Sequence, residues 1–401
     1  MKRDQQEVAD NLFWSEIVSA HSDPASIQVK YEQAVRRAEG LGFRYRPSME
    51  IAQGPIEDII RRVQALPPAS EKAQPIEAAL LGREQRPQTS LSEALDLYIN
   101  EIAKTGLSRK SPAQKNRWIN ERKRAVLSFV KLIGDKPIED ITRDDARAYF
   151  RHWLERVAPD DQKAKQLSAS TANRSIGLLK KLYGSYFQHI AEFDRPNPFR
   201  NLNFAENEEG KRPPFSAEWI EKEIFALGAL ERMNREARGL TLALADTGAR
   251  MSELCNLPES AIVLDHPVPH INIRPSFDRE QPREIKTASS VRTIPLVGVA
   301  LSVFQAHPAG FPRYRDKEAS LSAEINKFLR KHRLFPTPKH TAYSFRHAFE
   351  DRMKVAGIDF ELRCILMGHS MDRPEYGQGG SLEWQRDELR KIVLPFDPSI
   401  V

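Results

Sequence analysis

Ala245-Asp246-Thr247-Gly248-Ala249-Arg250-Met251-Ser252-Glu253-Leu254 is the stretch from which the fold is read outward. A helix runs through Ala245, Gly248 breaks it, and a new helix starts after the break. Arg250 is therefore expected at a helix junction, where backbone amides and a guanidinium can share one anion. Taken alone, the string describes a helix–turn–helix with an exposed arginine.

Two further strings lie downstream. Ile285-Lys286-Thr287-Ala288-Ser289-Ser290-Val291-Arg292-Thr293-Ile294-Pro295-Leu296 reads as a hairpin with Lys286 at or near its turn. A lysine there is ordinarily solvated; beside a phosphate it can donate a proton to a leaving oxygen. Tyr343-Ser344-Phe345-Arg346-His347 opens a helix whose apolar face is expected to include Phe349, Met353 and Val355. Gly368-His369 ends another helix, Phe360–Met367, and Arg373-Pro374-Glu375-Tyr376-Gly377 follows as a loop. Tyr376 lies off any apolar stripe and is the only tyrosine after Tyr343.

Working back toward the N-terminus, residues 87–206 read as a small helical bundle. Ser90 and Glu93 form a capping box, after which Leu91, Ala94, Leu95, Tyr98, Ile99 and Ile102 recur at helical spacing. Thr142 and Asp145 repeat the start signal ahead of Ala146, Tyr149, Phe150, Trp153, Leu154 and Val157. A third stripe runs from Leu179 through Tyr183 and Phe187 to Ile190. The aromatic residues on these stripes read as core. Two prolines, Pro196 and Pro198, stop the last helix. The polar, Gly/Pro-bearing stretch 207–214 reads as a linker, residues 215–401 as a mostly helical domain with a small inserted sheet and a C-terminal tail. Strands are expected at His270–Arg274 and Val291–Leu296. Residues 1–86 read as an accessory helical region carrying no chemical motif. The fold class is thus mainly α with a small β-sheet.

Charge is unevenly placed. The chain of 401 residues carries 61 basic and 55 acidic side chains, so 61 − 55 = +6. Residues 87–211 hold 22 of the basic and 17 of the acidic ones, so 22 − 17 = +5 lies in the middle segment. Its densest tract is Lys115, Arg117, Arg122, Lys123 and Arg124, which suits phosphate-backbone contact as well as it suits a solvated helix face. No apolar run approaches the ~20 residues of a membrane helix, and the first residues lack the apolar core of a signal peptide. Two cysteines, Cys255 and Cys364, exclude a disulfide framework and a zinc finger, and a reducing cytoplasm is the natural compartment.

The order R … K … Y-x-x-R … G-H-S … Y resembles the tyrosine recombinase (phage-type integrase) family over residues 87–395. T-G-A-R-x-S-E-L, K-T-x-x-S-x-R-T-I-P-L and G-H-S carry the resemblance together. It implies a helical core-binding domain and a catalytic domain that close as a clamp on double-stranded DNA, with strands cut and rejoined through a 3′-phosphotyrosine and no metal or cofactor. It implies catalytic roles for Arg250, Lys286, Arg346 and His369, with Tyr376 as nucleophile. Tyr343 stands where most members have histidine. The interval from His369 to Tyr376 resembles an R-P-x-Y-G variant of some phage-like integrases. The family further implies a homo-tetramer on paired sites, accessory DNA-bending or directionality proteins, and an origin in a phage or mobile element with a nucleoid-associated, cytoplasmic location. The C-terminal stretch Leu382–Ile392 either docks on a neighbouring subunit or packs in cis. Two other readings share the fold: a type IB topoisomerase-like enzyme, and a catalytically silent DNA-binding protein.

Overall fold

The computed structural model describes residues 24–68, 73–84, 88–161, 164, 166–206, 212–278, 282–370 and 379–401. They fall into two compact units. One comprises the described residues up to Thr105 together with Arg117–Glu206; the other comprises Gly106–Asn116 and the described residues of the stretch Asn207–Val401. The short stretch Gly106–Asn116, read from sequence as part of the middle domain, thus groups with the second unit.

The first unit begins with helices α1 (Pro24–Gly40), α2 (Ser48–Ala52), α3 (Ile56–Gln64) and α4 (Gln74–Leu80). A small core of Ala34, Ala38, Tyr45 and Ala79 joins α1, the segment before α2, and α4. Along the chain follow α5 (Leu91–Leu97), α6 (Lys104–Ser108, whose last three residues group with the second unit), α7 (Pro112–Ile133, whose first five residues do), α8 (Arg143–Val157) and α9 (Ala169–His189). Both expected capping boxes form. Ser90 N–H donates to Glu93 Oε2 at 2.7 Å, and Thr142 N–H to Asp145 Oδ2 at 2.8 Å. Each satisfies a helix-end donor that would otherwise lack a partner. Tyr149, Trp153, Tyr183 and Phe187 are buried in one core with Phe129 and Leu179. Leu154 departs from the expected stripe and is 43% exposed.

In the second unit, α10 (Arg235–Thr247) is the central helix, buried along most of its length against α12 (Gly298–Ala306), α13 (Glu318–Lys331) and α14 (Ser344–Val355). The short α11 (Met251–Leu254) follows α10. An antiparallel sheet in the order β1 (Ile262–Val263), β2 (His270–Ile273), β3 (Arg292–Pro295) sits between α11 and α12, with Ile273 opposite Arg292. Helices α15 (Phe360–Met367) and α16 (Leu382–Arg390) complete the unit. Leu389 and Ile392 are buried with Met353, Leu362 and Leu366, so this end of the chain packs in cis. Val355 differs from expectation: it is 90% exposed. Phe349 and Met353 are four residues apart and share a face, whereas two more residues carry Val355 about 200° around the helix.

Candidate active site

Gly248 ends α10 in the left-handed conformation (φ 58°), and Arg250 becomes the N-cap residue of α11 with extended backbone (φ −72°, ψ 144°). A Cβ on residue 248 would lie 2.3 Å from the Phe349 ring, so glycine is required on two counts. The turn brings Glu253 back onto Arg250. Glu253 Oε2 accepts the Arg250 N–H at 2.7 Å, and Oε1 accepts from Arg250 Nη1 at 2.6 Å. The same carboxylate receives Arg292, Nη2 at 2.7 Å and Nη1 at 3.2 Å. Burial works to raise the Glu253 pKa, but hydrogen bonds and charge from Arg292 and then Arg250 outweigh it and hold the group below the usual range.

Arg346 enters from the first turn of α14. Its Nη1 donates to Gly248 O at 2.5 Å and its Nη2 to Met367 O and to His369 Nε2, the last at 3.1 Å. Burial first, and the Arg250 charge second, push its pKa down to about 10, which leaves it protonated at neutral pH. Since guanidinium has donors only, His369 Nε2 must accept, which places the imidazole in its neutral form with the proton on Nδ1. Burial and the Arg346 charge lower the His369 pKa in the same sense.

Arg250 Nη1 also donates to Ser290 Oγ at 2.9 Å and Nη2 to Gly368 O at 3.3 Å. These bonds leave each of Arg250 and Arg346 with its Nε–H and one terminal N–H uncommitted among the described residues. With His369 neutral, Arg250, Arg292 and Arg346 against Glu253 sum to +2. Such a cluster can hold an anion with preorganised donors.

Tyr343 lies just before α14, 37% exposed. Its ring centroid is 5.2 Å from that of His347, and the Arg212 guanidinium stands 5.3 Å over it. His340 is turned away, bonded to Thr337 Oγ1 at 2.8 Å and Pro214 O at 3.2 Å. Lys286 is exposed in the long connection from β2 to β3 and makes no hydrogen bond or ion pair with the described residues. Tyr376 lies outside the described residues. Of the basic tract, Lys115 groups with the second unit, and Arg117, Arg122, Lys123 and Arg124 with the first. Arg122 is part-buried, its guanidinium 3.3 Å from the Trp118 ring centroid, a packing role beside any contact with phosphate.

The structure joins Arg346 to His369 directly, brings Arg250 to the adjoining Gly368 carbonyl, and adds Glu253, Ser290 and Arg292, to which the motifs assigned no role. All three stand inside the quoted strings. Glu253 stands three residues after Arg250 and accepts its N–H as the glutamate of a capping box does, although Arg250 cannot supply the acceptor half of that signal. Gly368 belongs with them. Its φ is +61°, and a Cβ there would stand 2.8 Å from Arg292 Nη1 and 3.1 Å from Ser290 Cα. Gly368→Ala should cost ~1–3 kcal/mol in denaturant unfolding and displace Arg292. A variant as stable as the parent, with unchanged reactivity, would contradict this placement.

No protein-family model matches the chain, and none of the curated proteins does. Among solved structures, the chain is similar to the integrase of transposon Tn1549 in complex with transposon right-end DNA (19% identity, covering 74% of this chain and 94% of that one, TM-score 0.49). It is also similar to a lambda integrase dimer bound to a core site (15% identity, 75% and 96% covered, TM-score 0.48). A lambda integrase tetramer bound to a Holliday junction is similar as well (16% identity, 75% and 78% covered, TM-score 0.46).

Proposed function

We propose that this chain is a site-specific DNA recombinase that cleaves and rejoins duplex strands through a 3′-phosphotyrosine. The observation that carries the reading is the meeting of Arg250, Arg346 and His369 in one cluster of charge +2 with uncommitted N–H donors. A phosphodiester resists attack because its nonbridging oxygens already share a negative charge, and more develops in the five-coordinate transition state. Forked guanidinium donors oppose that charge, each well-placed donor being worth ~3–4 kcal/mol.

In this reading the Tyr376 oxygen gives up its proton to solvent and attacks phosphorus. The new O–P bond joins protein to the DNA 3′ end as the bond to the 5′ oxygen breaks. Lys286 gives that oxygen its proton, leaving a free 5′-hydroxyl. Attack by a different 5′-hydroxyl reverses the step and exchanges strands, so no nucleotide is consumed. The basic residues of α7 contribute backbone contacts, and four copies act on paired sites, with accessory DNA-bending proteins as further partners.

The test is a nicked suicide substrate carrying the element's own recombination site. The wild-type chain should form a protein–DNA band that survives denaturant and disappears with protease, and Tyr376→Phe should bind the DNA without forming it. Absence of the band with wild type would overturn the reading. Its persistence in Tyr376→Phe would move the nucleophile elsewhere, to Tyr343 first.

A further inference from the structure

The connection carrying Lys286 is held on its upstream side by residues from a distant part of the chain. Gln114 Nε2 donates to Glu284 O at 2.8 Å, and Gln114 Oε1 accepts the Glu284 N–H at 3.2 Å. One side-chain amide thus pairs with both main-chain groups of a single residue, as a neighbouring strand would. The same Oε1 accepts the Ser111 N–H at 3.0 Å, while Ser111 Oγ accepts the Gln114 N–H at 3.2 Å, closing a capping box at the start of α7. The Lys110 ammonium pairs with the Glu284 carboxylate. One residue earlier, the Arg283 guanidinium pairs with Asp316, whose Oδ1 also accepts from Ser111 Oγ at 3.2 Å. All of these residues belong to the second unit.

Downstream, the anchor is Ser290. Its Oγ accepts from Arg250 Nη1 and stands 2.9 Å from Thr287 Oγ1. Lys286 therefore lies between one point tied to Gln114 and another tied to Arg250. With Glu284 held, the Lys286 Cα stays within ~7 Å of the Glu284 Cα, two residues at full extension. Arg283 also bridges Ser276, at 2.9 and 3.0 Å, but Ser276 lies in the same excursion and moves with it. Gln114 ties the main chain to something outside the excursion.

We infer that Gln114 is a positioning residue for Lys286: its amide grips the Glu284 backbone and holds the lysine where it can protonate the leaving 5′ oxygen. The inference rests on the recombinase reading and on Lys286 as proton donor. It requires that loss of the grip harm one step, proton delivery, more than phosphate binding or attack.

Gln114→Glu separates the grip from the helix cap. A glutamate keeps the acceptor for Ser111 and Glu284 N–H, but removes the donor to Glu284 O and sets a carboxylate against the Glu284 side chain. Single-turnover cleavage of ordinary DNA should slow by ~10–10²-fold, the scale of a misplaced catalytic group. DNA with sulfur in place of the 5′ bridging oxygen offers a leaving group that departs without a proton, and on it the variant should return to near the wild-type rate. Lys286→Ala should show the same rescue and Arg250→Ala should not. Gln114→Ala, which loses cap and grip together, gives a second variant with the same expected pattern.

Gln114 variants as fast as wild type, or slowed equally on both substrates while Lys286→Ala is rescued, would overturn this inference and leave the recombinase reading standing. Lys286→Ala without rescue would overturn the proton-donor role and the inference with it. Wild type forming no adduct on its own site would overturn both the reading and the inference.

Discussion

Arg250→Ala is expected to bind duplex DNA much as the parent does and to lose covalent cleavage by ~10²–10³-fold in single-turnover measurements, the cost of one preorganised donor group. The separation follows from where the charge is felt. A phosphodiester in the ground state shares one negative charge, while the five-coordinate transition state concentrates more on the same oxygens, so the clamp acts mainly there. In the recombinase reading, binding is carried by many other contacts along the DNA backbone. The fold should tolerate the change, because the buried Glu253 carboxylate retains Arg292 at 2.7 and 3.2 Å. Arg250→Lys should recover little, since a single ammonium cannot reach Glu253, Ser290 and a phosphate at once as the fork does. A cleavage rate close to the parent's would remove Arg250 from the chemistry. A matching loss of DNA affinity would make it a binding residue only.

Asp246→Ala should lower unfolding free energy by ~3–5 kcal/mol, the cost of leaving a buried charge without its partner. Asp246 is 2% exposed and Arg352 is 8% exposed. Arg352 Nη1 and Nη2 reach Asp246 Oδ1 at 3.0 and 3.1 Å, and Oδ2 accepts the Val299 N–H at 3.1 Å. Arg352 further donates to Ala245 O and, at 2.7 Å, to Ile392 O. The ion pair ties α10, which ends three residues before Arg250, to α14, which carries Arg346, and the Arg352 bond to Ile392 O adds the segment after α16. The carboxylate is closely surrounded: a Cβ at Gly298 would come within 2.4 Å of Oδ2. Urea unfolding should show the loss as a lower midpoint. Adding Arg352→Met should return much of it, because the stranded guanidinium is then gone. A loss under about 1 kcal/mol, the scale of an exposed pair, would show that the pair is not the tie described.

Contacts between residues close in the chain are settled by local geometry. Ser90 with Glu93 and Thr142 with Asp145 are three residues apart, and helix geometry brings such pairs together wherever they occur. Helix Phe360–Met367 was legible to its end residues, because apolar spacing and a glycine stop are local signals. The arginines and His369 could be singled out because motif order preserves residue type.

Tertiary structure alone decided which of these groups meet, and through what. Glu253 serves two arginines because Arg292 arrives from β3, 39 residues on. Arg250 reaches Gly368 across 118 residues, and Gln114 reaches Glu284 across 170. No spacing rule spans such intervals. The partners are selected by which faces of α10, α14 and the sheet pack together, and by the need of each buried donor and acceptor to find a counterpart once water is excluded. The same packing leaves Val355 in solvent and Met353 in the core, although both are apolar residues of one helix. Residue type determines what a side chain can do; burial and the direction from which its neighbours arrive determine which of those things it does.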